Sequence, residues 1–220
     1  MRKLLDINNP VMRALVAIFD LIVLSVLWVV FSLPVFTMGA ASAALYHAVY
    51  HHVRKGEDYL WNSFWSAFKE NFKRQTLCWL VALGLLAVLI FDAIVFRSLY
   101  IEGKPLGWIY YGVLVILAFV LVWTVYLAAY GARFNGTVKE VLKFSFVLFR
   151  AHPLLMLGVM ILVLGGIALA LTLPAFVILI PAGVYFGATF PIEAAFLKHM
   201  RPEDLERIQG EQQNEDSKTV

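Results

Sequence analysis

The sequence predicts an all-α membrane protein, a six-span helical bundle of three hairpins with two amphipathic interfacial helices on the cytoplasmic side. Three observations carry that expectation. The 220 residues are 61 % hydrophobic and have a mean hydropathy of +0.79, outside the range of soluble domains. Six apolar segments can be drawn, at about 14–33, 36–53, 76–97, 107–131, 153–173 and 175–196. If each crosses the bilayer, sixteen of the eighteen Lys and Arg residues share one side, and only Arg97 and Lys104 face the other. The positive-inside rule then makes the crowded side cytoplasmic and puts both termini there.

The first segment is preceded by Arg2, Lys3 and Arg13. The apolar run from Ala14 to Phe36 is too long for the core of a signal peptide, and a second span follows directly, so it reads as an anchor that is not cleaved. The run breaks at Ser32-Leu33-Pro34, where proline suits a tight turn because it has no amide hydrogen and biases its predecessor away from helix. Pro34, Thr37 and Gly39 form the hairpin-turn motif, and Thr172-Leu173-Pro174-Ala175-Phe176 resembles it 140 residues later. The return segment is the short one. From Met38 to Arg54 it rises only about 24 Å at ~1.5 Å per residue, less than a ~30 Å core, so a re-entrant hairpin is the alternative to a full crossing.

Before the third span, Trp61, Trp65, Phe68 and Phe72 fall on one helical stripe, with Lys69 turned away and Asn71 beside it. A second stripe, Val138, Leu142 and Phe149, is interrupted by Ser145 and flanked by Lys139, Lys143 and Arg150. Both read as interfacial helices with rings in the acyl boundary and lysines at the headgroups. Alternatively, each is a plain extension of the span that follows. Small residues mark expected helix contacts: Gly39 with Ala43, Ala40 with Ala44, and the Gly183…Gly187 pair of a GxxxG. Residues 1–197 thus form one integral membrane domain, and 198–220 are a charged cytoplasmic tail expected to be disordered.

These residues carry a family resemblance. Asp20-Leu21-Ile22, Trp28, Phe31-Ser32-Leu33-Pro34, Thr37, Gly39, Ala40 and Ala44-Leu45-Tyr46 begin it. Phe64, Phe68-Lys69-Glu70-Asn71-Phe72-Lys73, Gln75-Thr76, Arg133-Phe134 and His152-Pro153 continue it. The pattern resembles the YesL-like family, polytopic proteins of the bacterial cytoplasmic membrane with a domain of unknown function. Ser25 departs from it, standing where asparagine is expected. The resemblance implies an accessory role in carbohydrate uptake, because such proteins are often encoded beside carbohydrate ABC transporters and glycan-degrading systems. It implies ABC subunits or a second copy as partners and transfers no catalytic residue.

Ionisable groups within spans cost about +2.5–3.5 kcal/mol for Asp at a helix centre, so Asp20 and Glu193 are the candidate functional acids. His47 and His51, an i,i+4 pair at similar depth, are candidate polar partners. The pair lacks the glutamate of an HExxH zinc signature, and no phosphate loop, nucleotide fingerprint or glycine elbow is present. The expectation is a protein without enzymatic activity, metal or cofactor. Its basic residues sit beside apolar spans, which is orientation chemistry and not a nucleic-acid groove. The single cysteine, Cys78, reads as packing. Two functions remain open, an uptake accessory and a small solute transporter or channel using an intramembrane acid.

Overall fold

The computed structural model describes residues 10–55, 59–134, 136–173 and 178–199. The readings of the 198–220 tail and of Pro174–Phe176 fall mostly outside that set. Among the described residues there are seven α-helices and no strand. They are α1 (Pro10–Ser32), α2 (Met38–Ala48), α3 (Leu60–Ile101), α4 (Ile109–Arg133), α5 (Val138–Ala151), α6 (Pro153–Thr172) and α7 (Ile180–His199). A π-helical stretch, Val49–Arg54, prolongs α2. Four segments are long and apolar enough to cross a membrane: Ala14–Ser32, Leu60–Ile101, Pro105–Arg133 and Pro153–Thr172. They mark the chain as a membrane protein.

The middle of the molecule is α2, whose residues Gly39 through Tyr46 are all buried. Its glycine and alanines give it so small a cross-section that α3 and α4 pack directly on its backbone. A Cβ on Gly39 would sit 2.3 Å from the Cβ of Trp79 and 2.8 Å from the Gln75 carbonyl oxygen. On α4, a Cβ on Gly131 would overlap the Gln75 side-chain amide. The polar turn before α2 is satisfied locally. The Thr37 hydroxyl lies 2.6 Å from the Phe31 carbonyl oxygen and 2.7 Å from that of Pro34, and the Trp79 indole donates to the Val35 carbonyl at 2.8 Å.

That last bond fixes the register of the fold. Trp79 is only halfway along α3, so the α1–α2 turn stops about 33 Å short of the end of α3, counting ~1.5 Å per residue. α2 therefore lies beside residues 60–79, and the outer half of α3 pairs mainly with α4, through Leu86, Leu89, Val113 and Val120. Six level spans are not what the packing gives. The segments 36–53 and 76–97 follow one another along α3 instead of standing side by side.

The segment 60–75 is no separate helix. It runs without a break into the apolar half of α3, because Phe64, Phe68, Asn71, Gln75, Cys78, Ala82, Leu86 and Leu89 form one continuous buried stripe of three- and four-residue steps. Of the expected aromatic stripe, Trp65 and Phe68 join Phe64 against the ring of Phe31 at 5.0–5.6 Å between centroids, while Trp61 is half exposed. α5, in contrast, is a distinct amphipathic helix that packs on α4. It opens with a capping box in which Thr137 accepts from the Glu140 backbone and Glu140 accepts from the Thr137 backbone. Its buried face is Val141, Ser145, Leu148 and Phe149, rotated from the expected stripe. Ser145 belongs to that face because it accepts the Trp123 indole proton at 3.2 Å.

Of the GxxxG, only Gly187 makes a close approach, to Leu162 of α6, whereas Gly183 faces open space. α7 is anchored at its start by α1: the Ala182 amide, a first-turn donor without an intrahelical partner, donates to the buried Ser25 hydroxyl at 3.1 Å. The departure at Ser25 thus has a structural function.

Candidate functional site

The polar groups of the bundle gather where α2, α4 and α7 end together. Spacing on α2 places Tyr46 toward α7, and the π-helical stretch that follows turns Tyr50 and Arg54 to the same side. α7 delivers Glu193 from its second half, and α4 delivers Arg133 as its last helical residue.

Glu193 is buried and doubly held. Its Oε1 accepts the Tyr46 hydroxyl proton at 2.8 Å, and its Oε2 lies 3.6 Å from Nη2 of Arg133. Arg133 in turn stacks over Tyr50 at 4.8 Å to the ring centroid. Arg54 lies over Phe190 at 4.5 Å and donates to the Thr189 carbonyl at 3.1 Å, which ties the end of α2 to α7. A carboxylate alone in such a place would cost several kcal/mol. Here an arginine and a phenol offset that cost, and the result is a clamp joining three helices.

Asp20 is elsewhere. Its carboxylate meets His52 Nε2 at 3.3 Å, and each side chain keeps about a fifth of its surface exposed (19 % and 21 %). His47 and His51 stack on one another at 4.4 Å, and His47 Nδ1 lies 3.3 Å from the Ser63 hydroxyl. The four candidates named from the sequence therefore fall into three arrangements, with the Tyr50 ring between two of them, edge-on to His51 at 5.1 Å and under Arg133. Among the described residues, no three His, Cys, Asp or Glu side chains are placed to hold a metal ion.

Four partners escaped sequence reading: Tyr46, Tyr50, His52 and Arg133. Tyr46 and Arg133 do stand within the family pattern, but nothing local identifies either as the partner of a residue 147 or 60 positions away. A further polar link lies across the bundle. Arg74 of α3 donates to the Gly131 carbonyl at 2.6 Å and to the Asn71 side chain, capping the last turn of α4. Asn71 is accordingly a buried joint, not an interfacial residue.

No curated protein and no solved structure matches the chain. A family model described as "Protein of unknown function, DUF624" matches residues 21–93. The matched stretch takes in α1 from Leu21, the Pro34 turn, all of α2 and most of α3. It ends before Arg133 and Glu193 and begins one residue after Asp20. DUF624 is the YesL family, and over residues 21–93 the chain carries that family's signature.

Proposed function

We propose that this is a non-catalytic integral membrane protein, accessory to carbohydrate uptake of the ABC type or to its regulation, in the bacterial cytoplasmic membrane. The observation that supports an accessory over a carrier is the Glu193 clamp. Its acid is engaged by Tyr46 and Arg133 within protein, and α2 fills the space between helices where a conduit would run. The sugar comes from the YesL-like resemblance. The test is deletion of the gene with measurement of radiolabelled sugar uptake, together with affinity purification from the membrane. Reduced uptake with ABC subunits co-purifying supports the proposal. Sugar flux through the purified protein in liposomes ends it.

One observation favours the transporter reading: the Asp20–His52 pair, midway along α1, is partly exposed. Under that reading Asp20→Asn reaches the membrane at normal level and no longer complements the deletion, while Asp20→Glu retains part of the activity. Full activity of Asp20→Asn removes the transporter reading.

We place both termini in the cytoplasm from the sixteen-to-two charge division. The register at Trp79 supports a re-entrant α1–α2 hairpin, which leaves that division unchanged. Single cysteines at Val35, Glu57 and Glu102, in a Cys78→Ser background, test this with an impermeant thiol reagent on intact cells. Only Glu102→Cys reacts if the hairpin is re-entrant. Reaction at Val35→Cys as well restores the six-span arrangement.

A further inference from the structure

Where α2, α4 and α7 end together, cations from two helices converge on one ring. The guanidinium carbon of Arg133 lies 4.8 Å from the Tyr50 ring centroid, Nζ of Lys55 5.1 Å, and the guanidinium carbon of Arg54 5.7 Å. Arg54 and Lys55 are neighbours in the chain, and an α-helix would spread them apart, because the residue five ahead of Tyr50 turns well away from it. Here the Lys55 amide donates to the Tyr50 carbonyl at 3.2 Å. That bond is the five-residue closure of a π turn, and it brings both side chains over the ring. Such turns are rare and recur at functional sites. This one gathers like charges, which repel.

Arg54 shows what the arrangement leaves open. It is exposed, donates to the Thr189 carbonyl at 3.1 Å and lies over Phe190 at 4.5 Å, and among the described residues it meets no carboxylate. The carbonyl takes one of the five N–H donors of a guanidinium, so the group is held in position with donors still facing outward. The nearby acid is Glu193, 3.6 Å from Arg133. Glu193 is only 4 % exposed and accepts from Tyr46 through Oε1, so its charge is kept inside the bundle.

We propose that Arg54 and Arg133, with Lys55 beside them, bind a phosphate group. Geometry sets the anion. The two guanidinium groups come from different helices, and a tetrahedral phosphate has oxygens in enough directions to accept from both, whereas a planar carboxylate matches one guanidinium at a time. The surroundings of Arg54 bear on the source. Phe190 is 51 % exposed, with Phe186 at 5.5 Å between ring centroids, so an apolar face stands directly beside the cation. A phospholipid would place its phosphate on the cations and its acyl chains along α7, while a soluble phosphate ester would use the cations alone. The exposed rings favour the lipid. This goes beyond the accessory reading and does not depend on it.

The test is native mass spectrometry of the full chain in detergent, at about 0.15 M salt so that diffuse attraction is screened. The first phosphatidylglycerol should be held about tenfold more tightly than phosphatidylcholine, whose choline brings a further cation to the same place. Arg54→Gln should remove that preference, since a hydrogen bond to a charged group is worth about a tenfold change. Lys69→Gln, which removes an exposed cation set over Trp65 on α3, should leave it intact. Arg133→Gln combined with Glu193→Gln, which leaves neither partner as a lone buried charge, is the second variant should Arg54→Gln not fold. Glycerol 3-phosphate should not displace the lipid; if it does at equal concentration, the phosphate site stands and its source is a soluble ester. Equal affinity for the two lipids without binding of glycerol 3-phosphate, oleate held as tightly as phosphatidylglycerol, or equal losses in Arg54→Gln and Lys69→Gln each overturns the proposal.

Discussion

The two halves of α3 live in different surroundings. Residues 60–79 run through the bundle beside α1, α2 and the end of α4, and bury Phe64, Asn71, Gln75 and Cys78. Residues 80–101 have α4 as their main neighbour and expose Val81, Leu85, Val88, Phe91 and Ile94. The first half holds its place by polar joints and close backbone approach, the second by an apolar seam and a knot of rings at its tip. There Tyr100 meets Trp108 at 5.8 Å and Tyr111 at 5.4 Å, and Gly107 packs on the Tyr100 backbone. One helix thus combines a joint that tolerates little change with an arm whose outer face asks only to be apolar, as lipid requires.

Substitutions can break or sharpen this contrast. The largest effect is expected at the Glu193 clamp, where Glu193→Leu leaves Arg133 without its partner and should cost about 3–5 kcal/mol. A fall in thermal midpoint in detergent measures it, and an unchanged midpoint would mean that the pair is not formed. Next comes Gly39→Leu, which drives a side chain into Trp79 and should cost about 1–3 kcal/mol or shift α2 against α3. On the arm, Val88→Ala or Phe91→Leu should change the midpoint by less than about 0.5 kcal/mol equivalent. A loss there as large as at Gly39 would erase the distinction between the halves.

The most local effect belongs to the cap of α5. Hydrogen bonds from the Thr137 backbone and side chain hold the Glu140 carboxyl below its ordinary value of 4.5. A lowered folded-state value means that the contribution is present above pH 4.5 and is lost as the carboxylate protonates on further acidification. Amide protection in α5, taken relative to the intrinsic exchange rate at each pH, should therefore fall below that pH in the wild type. In Thr137→Ala it should be low already at neutral pH.

How much of this was legible beforehand differs by kind of interaction. Burial of α2 is written in its run of Gly and Ala, and the turn in Pro34. The continuity of α3 was also present, in the Phe64–Phe68–Asn71–Gln75–Cys78–Ala82 steps. It was obscured because the more hydrophobic Trp61–Trp65–Phe72 line draws attention to a face that is only partly buried. Ser145 read as a flaw in a stripe because its partner, Trp123, lies on another helix. The acids show the limit most clearly. Depth in the sequence grouped Asp20 with Glu193 and the His47/His51 pair, but depth says nothing about rotation around a bundle. Packing sent Asp20 to His52 and Glu193 to Arg133.

The register of α2 on α3 also dictates an order of events during synthesis. α2, at 11 residues, is not among the segments long and apolar enough to cross a membrane on their own, and its glycine and alanine surface gains little from lipid. What receives it is residues 60–79 of α3, which leave the ribosome later. Until they arrive, α2 has one helical neighbour, α1, instead of four, and Tyr46 and Arg54 have neither α4 nor α7 to meet. The nascent chain is thus committed late: a chain cut before Leu60 and tethered to the ribosome by a linker long enough to clear the exit tunnel should leave a cysteine at Ala43 open to alkylation, and one carried past Ile101 on the same linker should close it.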